Sequence, residues 1–493
     1  MYRSIVEAVF NHAEKTPDAL FAADARQSYT YAQAKTAVLQ TAAQLADLNV
    51  SGKDCVMVEC TQNAAYCICK LAIELLGAVF VPFDRKISEE RKQEIMAETG
   101  AVCLAGSSVD KSGLPFFPIA SISPDAAPVS FSYTFPDAED RAELLYSTGT
   151  TGKSKGVDLT HANNVALAQN VAGGVQMEKG NVELVPVSLS HSHGLRTLYA
   201  NFYNGNAVVI ASGVTFLKPL FALIDRWHVT SMDLVPSAWR ILRDHGAETL
   251  KNYRDQIKYV QLGSAPLTEE DKHSLRELLP NSRLYNFYGS TESGRTCTYD
   301  FAAYPDKAAC IGKPVTNAEV LIVNSEHQVM ETSSAEQTGY LAFRGGMNMT
   351  GYWKNPELTE TVLRDGIFYT KDIGYIDGEG WIYMLGRDDD IINYGGVKIN
   401  PNEIEEIAMR CPDVADCGCV GHTDPVSGHA PWLFVCLHPN AEHGAEGVSA
   451  WLAKNIDREK MPKRVIPIDE LPRTFNGKLL RRALKDISDQ MEG

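Results

Sequence analysis

The stretch Tyr146 to His161, YSTGTTGKSKGVDLTH, gathers Ser and Thr hydroxyls, glycines and two lysines into one short span. Hydroxyls, ammonium groups and the open backbone amides of glycine-rich turns are the groups that hold phosphates. A P-loop, G-x-x-x-x-G-K-[ST], would need glycine where the chain has Ser147. The stretch is therefore either a phosphate loop of another kind or a flexible polar linker.

The flanks of this stretch favour the phosphate loop. Residues 142–146 have the apolar character of a short strand, and residues 163–169 have the character of a helix. A strand followed by a polar loop and a helix is a common place for anions to bind, because the helix N-terminus presents free amides. We expect this helix to start near residues 161–163.

The whole chain sets limits on function. A chain of 493 residues is too long to fold around one hydrophobic core, so we expect two to four domains or subdomains. A net charge of −16 argues against a general nucleic-acid binder or a binder of anionic membranes. No apolar run is long enough for a signal peptide or a membrane span. The 11 cysteines are scattered without C-x-x-C spacing, which predicts reduced, mostly buried thiols and a cytoplasmic protein.

Strand-like and helical stretches alternate through the first part of the chain, as in DCVMVEC, GAVFVPF, TSMDLVPS and IKYVQLGS. This alternation predicts an α/β fold with parallel-sheet subdomains and binding loops at the carboxyl ends of strands. Short strands and turns after Pro314 predict a small β-structure. We expect a large N-terminal domain at 1–387, a hinge at 388–390 and a small, mobile α+β domain at 391–493.

Five motifs occur in order: YSTGTTGKSKG, NFYGSTESG, YTKDIG, GRDDDIINYGGVKINPNEIEE and PRTFNGKLLRR. The series resembles the adenylate-forming superfamily, which includes acyl- and aryl-CoA synthetases, adenylation domains of peptide synthetases and luciferases. The resemblance covers nearly the whole chain. It implies ATP-dependent activation of a carboxylic acid to an acyl-adenylate with release of pyrophosphate, followed by transfer to CoA. The alternative acceptor is the phosphopantetheine of a separate acyl carrier protein.

This reaction brings a carboxylate to the α-phosphorus of a polyanion. Each pair of unit charges at ~4 Å repels by about 4 kcal/mol at an effective dielectric near 20, so cations must neutralise the site. The resemblance assigns Lys478 as the catalytic lysine that bridges the two anions, Thr291 as a phosphate contact and Glu292 as the ligand of Mg²⁺, a metal that prefers oxygen.

The resemblance also implies a set of residues around ATP. Asp372 would hold the ribose hydroxyls, Arg387 the ribose or phosphate, and Tyr288 the adenine. The full set consists of Ser147, Thr148, Gly149, Thr150, Thr151, Gly152, Lys153, Lys155, Ser264, Ala265, Pro266, Asn286, Tyr288, Gly289, Ser290, Asp372 and Arg387.

The segment PVSLSHSHGLRTLY corresponds to the wall of the acyl pocket, to which we assign His191, His193, Arg196, Arg240 and Gly263. The segment has no aspartate to pair an α-amino group, which argues against an amino-acid substrate. Arg196 or Arg240 could pair a second carboxylate, although such arginines are more often structural. The two histidines could form half of a metal site, but a role in the pocket wall is favoured. The acid stays open among fatty, aryl and dicarboxylic acids, with fatty acid metabolism as one setting.

In the family the small domain rotates between the two half-reactions, and the resemblance places the pivot at Asp389 and the thiol tunnel at Gly395 and Gly396. Partners are then a small carboxylic acid and CoA or a carrier protein, with the enzyme a monomer or homodimer. Two other functional classes are compatible with single motifs of the sequence. A P-loop GTPase is disfavoured by Ser147, and a non-catalytic binding module by the intact Lys478 and Glu292.

Overall fold

A computed structural model describes residues 1–108, 112–147, 155–307, 309–395, 397–473 and 479–491. The described helices are α1 Ile5–Lys15, α2 Tyr31–Asp47, α3 Ala64–Leu75, α4 Glu89–Thr99, α5 His161–Gly174, α6 Ser192–Asn204, α7 Leu217–Trp227, α8 Pro236–Leu250, α9 Glu269–Leu278, α10 Pro356–Val362, α11 Pro401–Ala408, α12 Gly444–Asn455 and α13 Arg481–Gln490.

The described strands are β1 Leu20–Ala23, β2 Ser28–Thr30, β3 Cys55–Glu59, β4 Val79–Phe83, β5 Cys103–Gly106, β6 Phe116–Pro118, β7 Arg141–Ser147, β8 Lys155–Thr160, β9 Val182–Val185, β10 Ala207–Ile210, β11 Ser231–Leu234, β12 Tyr259–Leu262, β13 Arg283–Ser290, β14 Gly294–Asp300, β15 Cys310–Pro314, β16 Glu319–Val323, β17 Gly339–Arg344, β18 Gly351–Tyr352, β19 Leu363–Arg364, β20 Ile367–Ile376, β21 Ile382–Arg387, β22 Ile392–Tyr394, β23 Val397–Ile399, β24 Val414–Asp424, β25 Gly428–Leu437 and β26 Arg464–Pro467.

The chain divides into two compact units. The first consists of Met1–Leu321 with Ala342–Phe368, and the second of Ile322–Leu341 with Tyr369–Gly493. The chain therefore enters the second unit at residues 322–341, returns to the first unit at 342–368 and then stays in the second unit.

A largely parallel sheet organises the first unit. Strands β13, β12, β11, β9, β10 and β1 follow one another in that order with parallel pairing. Their buried residues are mainly Val, Leu, Ile and Ala, as expected for strands covered on both faces. The prediction of a parallel α/β sheet is confirmed. Because the strands are parallel, the loops after β11, β12 and β13 meet at one edge of the sheet.

A second sheet of seven strands has the order β18-β8-β7-β4-β3-β5-β6. Its β7 and β8 are antiparallel neighbours, with Tyr146 opposite Gly156. The glycine-rich stretch therefore connects two strands of a hairpin. Helix α5 begins at His161, as predicted, but residues 155–160 form strand β8 and are not part of the loop. Residues 155–160 are mostly buried, and Thr160 then caps α5 through the amide of Asn163.

The second unit contains the β20–β21 hairpin, in which Asp372 lies opposite Arg387, and a five-stranded sheet. Residues 388–390 form one 3₁₀ turn directly after β21. Helices α11 and α12 pack on one face of this sheet around Ile404, Ala408 and Leu452, which are fully buried. This is the α+β texture that the sequence predicts for the C-terminal region.

None of the 11 cysteines, all of which lie in the described ranges, forms a disulfide, and every one except Cys436 is buried. The prediction that the thiols are mostly buried is confirmed. Within the described ranges, the structure has no helix that is both long enough and apolar enough to cross a membrane.

Candidate functional site

Two charged side chains from separate motifs meet at Tyr352. The Tyr352 hydroxyl donates to Glu292 Oε1 at 2.9 Å. The Lys155 ammonium lies 5.1 Å from the centre of the same ring. An ammonium over an aromatic face is attracted by the ring's negative quadrupole. One tyrosine thus places a cation from the glycine-rich motif near a carboxylate from the NFYGSTESG motif.

Strand pairing explains this arrangement. Tyr352 ends the short strand β18, which pairs with β8 so that Tyr352 lies opposite Val157. Lys155 begins β8, two residues earlier. Glu292 lies in the turn between β13 and β14, and its backbone carbonyl accepts from the Met349 amide at 2.8 Å. The two sheets therefore meet through this turn and the segment that leads into β18.

The same turn also contacts the start of α6. Thr291 Oγ1 lies 3.4 Å from Ser192 Oγ. Within the turn, the Ser293 amide donates to Ser290 Oγ at 3.1 Å and fixes the local geometry. Thr291, which has the predicted phosphate role, thus lies beside the HSH segment. Next to Ser192, burial lowers the pKa of His191, so its neutral form is favoured.

His193 lies at the centre of a hydrogen-bonded chain. Its Nε2 is 2.7 Å from Asp233 Oδ1, and its Nδ1 is 2.9 Å from Ser264 Oγ. The other Asp233 oxygen accepts from the Thr197 hydroxyl at 2.7 Å. Both ring nitrogens of His193 thus form hydrogen bonds within the protein. Because neither is available to a metal ion, His191 and His193 do not form half of a metal site. The described residues contain no cluster of three or more His, Cys, Asp or Glu side chains that could hold a metal ion.

Phe287 forms the next layer beside His193. The two rings meet edge to face with centroids 4.8 Å apart. A side chain at Gly263 would place its Cβ 2.2 Å from the Phe287 ring, so glycine is required there. The buried Arg295 guanidinium lies 3.8 Å from the other side of the ring. Burial lowers the pKa of Arg295 to about 10, although the charges of Asp233 and Glu183 raise it.

The structure corrects our interpretation of Arg196. Its Nη1 donates to Glu143 Oε1 at 2.5 Å and to Asn164 at 3.1 Å, and the residue is 4 % exposed. Burial raises the pKa of Glu143, but Arg196 and Lys70 outweigh burial and lower it. Arg196 therefore neutralises an internal carboxylate and is not placed to pair one on the substrate.

Arg240 is corrected for a similar reason. Its Nε and Nη2 form a two-pronged ion pair with Asp271, with Nη2 to Oδ2 at 2.9 Å. Asp271 also caps α9 together with Thr268. The guanidinium therefore joins α8 to α9. Both arginines that could have bound a second substrate carboxylate are therefore paired with carboxylates of the protein.

Within the second unit, Arg387 Nε lies 3.3 Å from Asp372 Oδ1 across the β20–β21 hairpin. Asp372 retains 14 % side-chain exposure, and its amide donates to Thr370 Oγ1. Two motifs are thus joined by direct strand register. Gly395 has a left-handed φ of 59°, and its amide donates to the Ser427 carbonyl at 2.9 Å.

The remaining predicted residues have fewer or no described contacts. Asn286, Tyr288, Gly289 and Ser290 lie on β13, while Ala265 and Pro266 follow β12. Ser147 ends β7, and its side chain is outside the description. The following predicted residues lie outside the described ranges: Thr148, Gly149, Thr150, Thr151, Gly152, Lys153, Gly396 and Lys478.

Sequence reasoning missed Tyr352 and Asp233. Asp233 had a usable signal, because it is a lone carboxylate within the otherwise apolar strand SMDL, and a fully buried carboxylate needs a partner. Tyr352 had none, because its partner Glu292 is 60 residues away in sequence.

Two protein-family models match this chain. The model of the AMP-binding enzyme family matches residues 9–353, which is more than half of the chain. The chain belongs to the AMP-binding enzyme family. The C-terminal domain model of the same family matches residues 403–478. The predicted membership in the adenylate-forming superfamily is confirmed.

Curated members of the family align along almost the whole chain. The 4-coumarate–CoA ligase 3 of Arabidopsis thaliana is 28 % identical over 93 % of this chain and 86 % of its own length. The 2-succinylbenzoate–CoA ligase of Geobacillus kaustophilus is 28 % identical over 97 % of this chain and 96 % of its own.

A solved family member has the same fold. The o-succinylbenzoate CoA synthetase of Bacillus subtilis, in complex with ATP and magnesium ion, superposes with a TM-score of 0.87 at 26 % identity, covering 97 % of this chain and 99 % of its own. Its complex with the acyl-adenylate intermediate gives 0.86 over 97 % and 98 %. The predicted fold class, a large α/β domain followed by a small C-terminal domain, is confirmed.

Proposed function

We propose that this protein is an AMP-forming carboxylic acid–CoA ligase. It activates a carboxylic acid with ATP to an acyl-adenylate, releases pyrophosphate and transfers the acyl group to the thiol of CoA. The curated relatives are CoA ligases, which supports CoA over the phosphopantetheine of a carrier protein as acceptor. ATP and Mg²⁺ are the cofactors that the family reaction requires.

One observation carries this proposal: Lys155 and Glu292, from two distant motifs, meet at Tyr352. An ammonium suits the phosphates of ATP, and a carboxylate oxygen suits Mg²⁺. A GTPase P-loop or a simple binding module would need no such pairing beside Thr291. The arrangement supports a site built for a magnesium nucleotide and a second anion.

The residues present fit a magnesium ion. Glu292 is only partly buried, and only its Oε1 accepts a hydrogen bond from a described side chain, leaving Oε2 for a metal. The Tyr352 hydroxyl orients the carboxylate by donating to Oε1. When bound, Mg²⁺ neutralises phosphate charge that would otherwise repel the incoming carboxylate. Lys155 and the Thr291 hydroxyl then position the phosphates.

The substrate is proposed only as a class of acid. We keep a small carboxylic acid as substrate, with fatty, aryl and dicarboxylic acids in the test panel. The relatives make 4-coumarate and 2-succinylbenzoate the first compounds to include. Eleven cysteines without a disulfide support a cytoplasmic enzyme. We expect a monomer or homodimer, with domains at 1–387 and 391–493 joined by the hinge at 388–390.

The test is acid-dependent release of pyrophosphate from ATP, followed across the acid panel. Each active acid is then offered CoA and a holo-carrier protein in parallel, and the thioester is measured. We expect pyrophosphate release with at least one acid and thioester with CoA. Thioester on the carrier alone would replace CoA with the alternative acceptor, and GTP turnover without any acid would refute the proposal.

The Glu292→Gln variant tests the magnesium ligand. Loss of the charged oxygen should raise the Mg²⁺ concentration for half-maximal adenylation by about 10- to 100-fold. Tyr352→Phe should shift the titration in the same direction by less, because the carboxylate remains but loses its orienting hydroxyl. Glu319→Gln, which alters an exposed ion pair with Arg344, is the matched control. An unchanged magnesium titration in Glu292→Gln would remove this assignment.

The Asp372→Ala variant tests the ribose contact. Hydrogen bonds to a charged group contribute about 1.5–3 kcal/mol, so the KM for ATP should rise roughly 10- to 100-fold. The KM for the acid should change little, because the acid does not contact the ribose. Asp457→Ala, with an 81 % exposed side chain, controls for general loss of negative charge. Equal rises in both KM values would instead indicate damage to the β20–β21 hairpin.

A further inference from the structure

Ser264, His193 and Asp233 form a chain of nucleophile, base and orienting acid. Ser264 Oγ is 2.9 Å from His193 Nδ1, and His193 Nε2 is 2.7 Å from Asp233 Oδ1. These distances are the signature of an activated serine, in which a histidine takes the hydroxyl proton and a carboxylate fixes the histidine. Proposed adenylation and thioester transfer do not need such a chain.

The orienting end of the chain is firmly held. Asp233 is fully buried on β11, and its second oxygen accepts from the Thr197 hydroxyl at 2.7 Å. Thr197 follows His193 by one helical turn on α6, so both side chains face the same carboxylate. An ionised carboxylate only accepts hydrogen bonds, so His193 Nε2 carries the proton in this contact. Nδ1 then has a lone pair for the Ser264 hydroxyl.

The nucleophile end is exposed and strained. Ser264 is accessible to solvent and has a left-handed φ of 71°. A non-glycine residue in this region costs about 1–3 kcal/mol, and such strain clusters at functional sites. Among the described residues, the backbone amides of Ser264 and Ala265 donate to no protein acceptor. Free amides beside a serine oxygen can stabilise the negative charge of an attacked carbonyl.

We propose that Ser264, His193 and Asp233 catalyse hydrolysis of activated acyl groups, with an acyl-adenylate that receives no thiol as the natural target. The identity of that target rests on the proposed function, whereas the nucleophile itself does not. Such a reaction would clear adenylates of acids that CoA does not accept.

The proposed reaction has two steps. Ser264 Oγ attacks the acyl carbon, its proton passes to His193 Nδ1 and on to solvent, the anhydride C–O bond breaks and AMP leaves. Water then adds to the serine ester and gives a proton to His193 Nδ1. His193 returns this proton to Ser264 Oγ as the ester bond breaks and the free acid departs. The net reaction is hydrolysis of the mixed anhydride to acid and AMP.

The first test uses a fluorophosphonate probe, which labels activated serines and requires neither ATP nor an acid. We expect covalent labelling that peptide mass mapping places at Ser264. His193→Gln should slow labelling by about 10²- to 10⁴-fold, the usual contribution of a general base. A folded wild-type enzyme that shows no label at Ser264 would overturn the proposal, whether or not it releases pyrophosphate from ATP.

A second pair of variants separates positioning from folding. Thr197→Val should slow labelling because Asp233 loses its donor, whereas Thr197→Ser keeps the hydroxyl and should restore the rate. Hydrolysis of p-nitrophenyl butyrate should follow the same order and disappear in Ser264→Ala. Equal labelling rates in Thr197→Val and Thr197→Ser, or ester hydrolysis that survives Ser264→Ala, would contradict the proposed chain. Because these readouts need no ligase activity, a failed acid panel leaves the result interpretable.

Discussion

Replacement of Lys478 by alanine is expected to lower acyl-adenylate formation by about 10²- to 10³-fold, the scale seen when one charge-stabilising donor is lost. The resemblance places this lysine between the attacking carboxylate and the α-phosphate, where both reacting groups are anions. Its charge offsets their repulsion only at the moment of reaction, so the loss should appear in kcat for adenylation.

The second half-reaction should respond differently. Thioester formation from preformed acyl-adenylate and CoA should stay within about threefold of wild type, because neither the thiol nor the adenylate needs this lysine in transfer. Lys454→Ala is the matched control, since Lys454 is an exposed lysine on α12 of the same C-terminal region. If both half-reactions fall together, Lys478 does not have the proposed role.

Replacement of Asp389 by proline is expected to keep adenylation within about tenfold while most thioester formation is lost. In the mechanism that the resemblance implies, Lys478 reaches the α-phosphate first, and the Gly395–Gly396 loop reaches the thiol afterwards. Both follow the proposed hinge at 388–390, so this mechanism requires one small domain to reorient between the two reactions. The joint must change φ and ψ, and proline holds φ near −65°.

The structure supports proline as a specific test at this position. Residues 388–390 form a 3₁₀ turn, whose φ values near −50° to −70° already suit proline. Among described residues, the Asp389 amide donates no backbone hydrogen bond that proline would remove. The side chain does contact Lys371 at 2.8 Å, but both groups are about half exposed, and such pairs contribute little.

Asp389→Ala is therefore the matched control, because it removes the same ion pair and leaves φ free. Pyrophosphate exchange and thioester yield should be measured on one preparation of each variant. The alanine variant should retain both activities, and the proline variant should lose only the second. Parallel loss in the proline variant would indicate misfolding, and full retention would place the pivot elsewhere.

Much of the fold could be predicted because its signals are local. The strands β3, β4, β11 and β12 follow from short apolar runs separated by helices. The error at the glycine-rich loop has a clear cause. Residues 155–160 continue the polar character of the loop, and only pairing with β7 shows that they form a strand before α5.

The ion-pair partners of Arg196 and Arg240 could not be predicted from the sequence. Arg196 lies within a segment aligned with the acyl pocket, yet its guanidinium turns inward to Glu143, 53 residues earlier. Arg240 similarly meets Asp271 across two helices. A sequence identifies a cation, but its partner depends on which face of the helix is buried and on what lies opposite.

By itself, the sequence determined the family, the α/β class, the order of the motifs and the residues expected to handle ATP, magnesium and the acid. These properties depend on residue types within a few positions of one another, which a linear chain displays directly. Only the tertiary structure decided that Tyr352 joins Lys155 to Glu292 and that Asp233 fixes His193 against Ser264. Such contacts arise because sheet register and helix packing bring distant side chains together, and neither is determined by local spacing.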